Sequence, residues 1–207
     1  MSERVLRRAA LAAVALMAFA VVPSSADDKA PAAFHVRLDT SQGPIVLELK
    51  REWAPLGVDR FFTLVKAGYF DEARFFRVRA GRFVQFGVNK DPKVSAAWRA
   101  RTLADEPRVL ENKRGTLAFA FAVKNGRTTQ LFFNLVDNPE GDQEPFVPIA
   151  RITEGLDVPD KLFAEYGEKA GGGIRAGRQA PLFEEGNAFL AREFPKLDWI
   201  RRATIEP

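Results

Sequence analysis

The sequence contains no cysteine and only one histidine, His35, and these absences exclude most nucleophilic and metal chemistry. Without a thiol, the chain cannot form a disulfide, use a Cys–His dyad or bind zinc through mixed Cys/His ligands. A Ser–His–Asp triad would have to use His35, and no serine lies in a Gly-x-Ser-x-Gly elbow. We interpret His35 as a half-exposed strand residue. We therefore expect no metal and no cofactor.

Phosphate-binding loops and basic patches are also lacking. The glycine run at residues 171–173 is not followed by Lys-Ser/Thr and does not open a βαβ unit, which argues against nucleotide chemistry. The net charge is +4, but residues 1–26 hold three arginines and one glutamate, so the rest of the chain carries +2. Its bases alternate with acids instead of forming a stripe. Nucleic acid is therefore not an expected partner.

No apolar run reaches the roughly 20 residues that span a bilayer. The N-terminal run covers residues 9–22, follows a basic stretch at residues 4–8 and precedes small residues at 23–26. This pattern predicts a signal peptide over residues 1–26, cleaved before Asp27. We expect the mature protein to be exported, periplasmic or extracellular, with no stable membrane anchor.

Hydrophobic periodicity predicts a mainly β chain after a short linker. Residues 27–33 are polar and are expected to be mobile. Alternating patterns at residues 34–40 and 45–50, with a turn at 41–43, predict a β-hairpin. A helix is predicted to begin at Pro55 and to stop at Gly68.

The rest of the chain is predicted to alternate strands with short helices. The predicted strands lie at residues 83–86, 115–122, 131–136, 146–152 and 199–205. The predicted helices lie at residues 157–165 and 184–193. Short strands with a helix near each end favour a closed β-barrel capped by helices, because closure removes exposed sheet edges.

The segment of residues 75–87 contains three arginines among bulky apolar residues and no acid: Arg77, Arg79 and Arg82. A buried charge is costly unless it is paired or hydrogen-bonded. An arginine held in such a setting therefore indicates a ligand-facing role.

This segment and a second one resemble the paired signatures of the cyclophilin-type peptidyl-prolyl cis-trans isomerases. The positions that match the first signature are Phe75, Arg77, Val78, Gly81, Gln85 and Gly87. The positions that match the second are Gly115, Leu117, Ala120, Gln130 and Phe132. The similarity covers about residues 36–161 and resumes at 200–205, and the long loops resemble a bacterial, exported subgroup.

The resemblance implies a fold for the whole mature chain. Residues 34–207 would form one cyclophilin-like domain with extended loops and a C-terminal closing strand. Its architecture would be a closed, antiparallel, eight-stranded barrel capped by two or three helices. Its partners would be Pro-containing polypeptides.

The resemblance also implies a reaction that needs neither a nucleophile nor a proton shuttle. Rotation about an X–Pro bond is slow because amide resonance sets a barrier of about 18–20 kcal/mol. In the twisted amide, the prolyl nitrogen gains lone-pair density. A fixed guanidinium can donate a hydrogen bond to that nitrogen or to the adjacent carbonyl, while a dry apolar pocket holds the ring.

Roles for individual residues follow from the resemblance. Arg77 would be the catalytic guanidinium, and Gln85 would orient it and contact the substrate carbonyl. The remaining assignments are substrate-binding: Phe132 as the floor beneath proline, Phe83 and Phe146 beside it, and Gln130 with the backbone of Phe121 around the preceding residue. Arg79 has no assigned role.

Two departures from the family pattern keep a second function open. Arg82 stands where the family usually has a pocket Phe, and Ala80 replaces a Pro. A second cation near Arg77 would repel it and wet the pocket, unless Arg82 turns outward or pairs with an acid. The chain is therefore either an exported prolyl isomerase or a degenerate cyclophilin that binds Pro-containing segments without catalysis.

Overall fold

The computed structural model describes residues 26–171 and 179–206, so the predicted signal peptide lies outside the described residues except for Ala26. Eight strands form one sheet: β1 (Ala33–Thr40), β2 (Gly43–Lys50), β3 (Arg77–Arg79), β4 (Phe83–Phe86), β5 (Thr116–Phe119), β6 (Leu131–Asn134), β7 (Pro148–Glu154) and β8 (Ile200–Glu206). Their order is β3-β4-β6-β5-β7-β2-β1-β8, and every neighbouring pair is antiparallel. The mainly β, eight-stranded prediction is confirmed.

The sheet is an open, curled half-barrel. Within the described ranges, the end strands β3 and β8 do not pair with each other, and a single bridge between Arg74 and Trp199 joins the segments that precede them. The strand pairing therefore does not confirm the prediction of a closed barrel. The three-residue β3 is too short to continue a ladder across this gap.

The predicted hairpin is present as β1 and β2. Phe34, Val36 and Leu38 are buried on β1, while His35 is half-buried between them. At the turn, Thr40 Oγ1 donates to the carbonyl of Gly43, whose φ of 128° is one that few side chains tolerate. The alternating pattern thus places one face of the hairpin in the core.

The described part of the chain contains four α-helices: α1 (Pro55–Lys66), α2 (Pro92–Arg99), α3 (Ala180–Glu185) and α4 (Asn187–Glu193). Helix α1 begins and ends as predicted. The carboxylate of Glu106 accepts hydrogen bonds from the N–H groups of Leu56 and Gly57, which have no partner inside the helix. Its apolar face packs Phe61 and Leu64 into the core.

Two helix predictions need correction. The helix expected over residues 157–165 is only a 3-10 turn, Pro159–Lys161, because the N–H of Phe163 donates to Asp198 instead of continuing a helix. The helix expected over residues 184–193 is divided into α3 and α4 by Gly186, whose φ is 57°. Among the described residues, no helix is long and apolar enough to cross a membrane.

The linker of residues 27–33 is held against α1, contrary to the mobility expected for it. Asp27 accepts hydrogen bonds from Arg60 and Arg101, and the N–H of Asp28 donates to Thr63. Ala30 is buried, and its N–H donates to Asp59. These bonds place the segment on the helix before β1 begins.

Candidate active site

The candidate site lies on the face of the sheet opposite the core. Val78, Val84 and Phe133 point into the core, so the residues that alternate with them point outward. In register across the strands, Arg77 on β3 pairs with Gln85 on β4, and Gln85 pairs with Phe132 on β6. Strand pairing alone therefore brings these three side chains side by side.

A chain of hydrogen bonds runs along the site from Arg77. Its Nη1 donates to Gln85 Oε1 at 3.0 Å, and Gln85 Nε2 donates to Gln130 Oε1 at 2.7 Å. Gln130 Nε2 then donates to Gln179 Oε1 at 3.0 Å. Because a guanidinium can only donate, Arg77 sets the direction of each amide along the chain. Gln85, which is 5% exposed, has little freedom to turn away.

Four phenylalanine rings continue the site beside the polar chain. The guanidinium of Arg77 lies over the ring of Phe83, with Cζ 4.7 Å from its centroid. The Phe83 ring meets Phe132 edge to face at 6.3 Å, and Phe132 meets Phe146 at 5.2 Å. Phe121 packs on Phe146 at 4.9 Å. The result is an apolar wall next to a fixed cation.

All seven residues proposed from the sequence thus belong to one connected group. Arg77, Gln85 and Gln130 are linked by hydrogen bonds, and the four phenylalanines are linked by ring contacts. Phe132 is buried, at 7% exposure, whereas the other three rings are half-buried. This arrangement can bind an apolar ring and present N–H donors to it. Their roles in a reaction remain predictions.

Two residues at the site carried no signal in the sequence. Glu168 Oε1 accepts hydrogen bonds from Arg77 Nε at 3.2 Å and from Arg77 Nη2 at 2.6 Å. Gln179 ends the amide chain and is buried. Both come from the segment before α3, far along the chain from the two signatures. The positive charge of Arg77 predicts an acidic partner, but no motif or spacing in the sequence identifies Glu168 as that partner.

Arg82 is turned outward at the exposed turn between β3 and β4. It lines a cavity of about 300 Å³ whose other lining residues are Phe83, Val136, Asp137, Asn138, Pro139 and Glu140. The cavity meets the candidate site at Phe83 and does not include Arg77 among its lining residues. Two acids, Asp137 and Glu140, therefore share this cavity with Arg82.

The described residues contain no group of three or more His, Cys, Asp or Glu side chains placed to hold a metal ion. The groups at the site that can act on a ligand include its hydrogen-bond donors and its apolar wall. A guanidinium with spare N–H groups beside such a wall can stabilise electron density that develops on a ligand held there.

Comparison with known proteins gives a family match over most of the described chain. Residues 35–171 match the family model described as cyclophilin type peptidyl-prolyl cis-trans isomerase/CLD. This range contains every residue assigned from the sequence to the site, and also Glu168. Gln179 lies beyond it.

Curated relatives carry the same description. The chain is 31% identical over 176 residues to peptidyl-prolyl cis-trans isomerase A of Dickeya dadantii, which covers 83% of this chain and 90% of that protein. It is 32% identical over 130 residues to a peptidyl-prolyl cis-trans isomerase of Helicobacter pylori, which covers 62% of this chain and 79% of that protein.

Solved structures share the fold. A cyclophilin type peptidyl-prolyl cis-trans isomerase of Cryptosporidium parvum superposes with a TM-score of 0.61 at 18% identity, covering 84% of this chain and 98% of that one. A structure of that protein in the presence of the dipeptide Ala-Pro gives a TM-score of 0.60 at 19% identity, covering 84% and 99%. At these identities the similarity concerns the fold alone.

Proposed function

The chain belongs to the cyclophilin-type peptidyl-prolyl cis-trans isomerase family, and we propose that it accelerates rotation about X–Pro bonds at Arg77 and the adjoining aromatic wall. The observation that carries this proposal is the Arg77–Gln85 hydrogen bond beside Phe132, which joins a fixed donor to an apolar floor. No covalent step and no proton transfer is required.

The aromatic wall would hold the pyrrolidine ring. Phe132 forms the floor, and Phe83 and Phe146 flank it through edge-to-face contacts. Excluding water there removes solvent that would otherwise stabilise the planar, more polar amide, and it strengthens nearby electrostatic interactions. Binding of proline would therefore favour the twisted form once a donor faces its nitrogen.

The guanidinium of Arg77 would supply that donor. As the amide twists, the prolyl nitrogen recovers its lone pair and can accept a hydrogen bond that the planar amide cannot. An interaction that forms only in the transition state raises kcat and not only binding. Gln85 donates one of its two amide hydrogens to Gln130, which leaves the second for the substrate carbonyl.

Substitution of Arg77 tests this role. We expect Arg77→Ala to lower kcat for a short X-Pro peptide roughly 100-fold, the loss typical of removing one transition-state donor, with little change in KM. Arg202→Ala, an exposed arginine on β8, is the matched control and should retain full activity. Full activity in the Arg77 variant would contradict the proposed role.

A binder without catalysis would give a different result. If the chain were such a binder, it would bind the peptide but would not accelerate the exchange. The exchange time would stay at its uncatalysed value of roughly tens to hundreds of seconds. Catalysis requires a fixed guanidinium beside the apolar wall, whereas capture of an apolar ring requires only the wall. The position of Arg77 therefore favours the isomerase.

We also propose that the chain is an exported member of the family. The basic, apolar and small-residue stretches within residues 1–26 support this proposal. Asp27, the first residue after the proposed cleavage, is bonded to Arg60 of α1, so cleavage there would keep this contact in the mature protein. N-terminal sequencing of the protein from its native host should give Asp27 as the first residue, and an intact Met1 would contradict export by cleavage.

A further inference from the structure

Residues 167–171 form a short segment that packs against the outer edge of β3. The N–H of Val78 donates to the carbonyl of Gly167 at 3.1 Å, so the segment covers an edge that the sheet leaves open. Ala170 is buried, and a Cβ added at Gly171 would lie 3.2 Å from Cβ of Arg77. The segment thus approaches β3 closely on both sides of Glu168.

This packing places the carboxylate of Glu168 on one edge of the Arg77 guanidinium. One oxygen, Oε1, accepts from both Nε and Nη2 of Arg77, and it lies 3.6 Å from Nε of Arg79. The side chains of Arg77 and Glu168 are 17% and 20% exposed. Water therefore screens the pair less than it would a surface ion pair.

The N–H groups of Arg77 can be assigned one by one. A guanidinium has five N–H donors in one plane. Glu168 takes one on Nε and one on Nη2, and Gln85 takes one on Nη1. One N–H on each terminal nitrogen has no hydrogen-bond partner among the described residues. These two N–H groups are the part of Arg77 that can bind a substrate.

We propose that Glu168 is a positioning residue: it holds the guanidinium of Arg77 so that the two remaining N–H groups face the twisted amide. This inference rests on the proposed isomerase function. With Gln85 alone, the guanidinium could swing about a single hydrogen bond. A second anchor on the opposite edge fixes its plane, and a fixed donor needs no reorganisation when the amide twists.

Glu168 could instead weaken Arg77, because a carboxylate so close offsets part of its positive charge. The two roles make opposite predictions. Positioning requires an acceptor at residue 168, charged or not, whereas charge compensation requires only the negative charge. Variants that separate the acceptor from the charge therefore decide between them.

The test compares Glu168→Ala, Glu168→Gln and the control Glu165→Gln in the isomerisation of a short X-Pro peptide. Glu165 is exposed on the same segment, so its variant makes the same charge change away from the guanidinium. We expect Glu168→Ala to lower kcat about tenfold with KM nearly unchanged. Glu168→Gln should stay within about threefold of wild type, because its amide oxygen still accepts.

Two outcomes overturn the proposal while the isomerase function stands. Wild-type kcat in Glu168→Ala would show that Arg77 needs no second anchor, and a raised kcat in both Glu168 variants would show charge compensation. If Glu168→Ala does not fold, slow hydrogen exchange at the Arg77 Nε–H in wild type and in Glu168→Gln still supports positioning. Fast exchange there in wild type contradicts it.

Failure of the proposed function has a separate signature. An inactive wild type would remove the reaction, and an Arg77→Ala variant as active as wild type would remove the catalytic role of Arg77; the positioning role of Glu168 rests on both. The inference about Glu168 would then fall with it. Glu168 variants measured beside Arg77→Ala keep these two failures apart.

Discussion

At the scale of single residues, three arginines that look alike in the sequence have different surroundings. Arg77 is mostly buried, lies over Phe83 and is bonded to Gln85 and Glu168. Arg79 is half-exposed, with Nε 3.6 Å from Glu168 Oε1 and Cζ 5.9 Å from the centroid of the Phe83 ring. Arg82 is exposed on a turn. Only Arg77 has the fixed geometry that a transition-state donor requires.

The exposure of Arg82 changes what its replacement should do. If Arg82 entered the pocket, Arg82→Phe would raise activity by restoring an apolar wall. Because the side chain is exposed and lines a cavity that does not include Arg77, we expect Arg82→Phe and Arg82→Ala to leave kcat within about twofold of wild type. Steady-state kinetics on one X-Pro peptide measure this, and a large gain in Arg82→Phe would show that the side chain occupies the pocket in solution.

The site could be predicted from the sequence only where motif residues share neighbouring strands. Arg77, Gln85 and Phe132 belong to two signature segments that pair in register, so their proximity follows from the fold. Glu168 and Gln179 reach the site from a loop-rich segment with no periodicity and no motif. Their contribution depends on tertiary contacts with Arg77 and Gln130, which local patterns do not encode.

At the scale of elements, the segment before β1 is bound to α1 by an ion pair between Asp27 and the buried Arg60. Arg60 is 3% exposed and pairs with Asp27, while its Nη1 donates to the carbonyls of Arg101 and Thr128. Burial lowers the pKa of Arg60, and the charge and hydrogen bond of Asp27 oppose that shift. The carboxylate of Asp27 therefore offsets much of the cost of burying this guanidinium.

Removing that carboxylate should destabilise the fold. We expect Asp27→Ala to lower the free energy of unfolding by about 2–3 kcal/mol, because it leaves a buried charge without its counterion. Asp28→Ala is the control: its pair with Lys66 is exposed, and its loss should cost less than about 0.5 kcal/mol. Urea unfolding of the chain without residues 1–25 measures both. Equal effects would contradict the anchoring role of Asp27.

Helices and strands match the sequence prediction where no tertiary contact overrides the local signals. The β1–β2 hairpin and α1 follow alternation, a proline start and a glycine stop, and all three signals act locally. The helix expected over residues 157–165 fails because Asp198, from a distant segment, captures the N–H of Phe163. Helix α2 was not predicted, although Asp91 caps it and Pro92 opens it.

At the scale of the whole molecule, the described chain has one main core and a smaller hydrophobic cluster. The main core lies between α1 and the inner face of the sheet. The smaller cluster packs α3 and α4 against residues next to β3 and β4. It contains Phe76, Val88, Ala170, Leu182, Leu190 and Leu197. The candidate site lies outside the main core and is bordered by residues from the C-terminal part.

This arrangement explains why fold and function were predictable to different extents. The motif residues on β3, β4 and β6 lie within residues 35–171, the range that the family model matches. The C-terminal part adds Glu168 and Gln179 to the site from sequence without a recognisable pattern. The site therefore combines motif residues on neighbouring strands with two residues, Glu168 and Gln179, that no motif predicted.

Exchange spectroscopy on a labelled X-Pro peptide, with the wild-type chain present at a small fraction of the peptide concentration, tests the proposed function most directly. Separate cis and trans signals report both binding and interconversion in one sample. We predict exchange cross-peaks between the two forms within a second, against roughly tens to hundreds of seconds without catalyst. Shifted peptide signals with no such cross-peaks would contradict the isomerase and identify a protein that only binds.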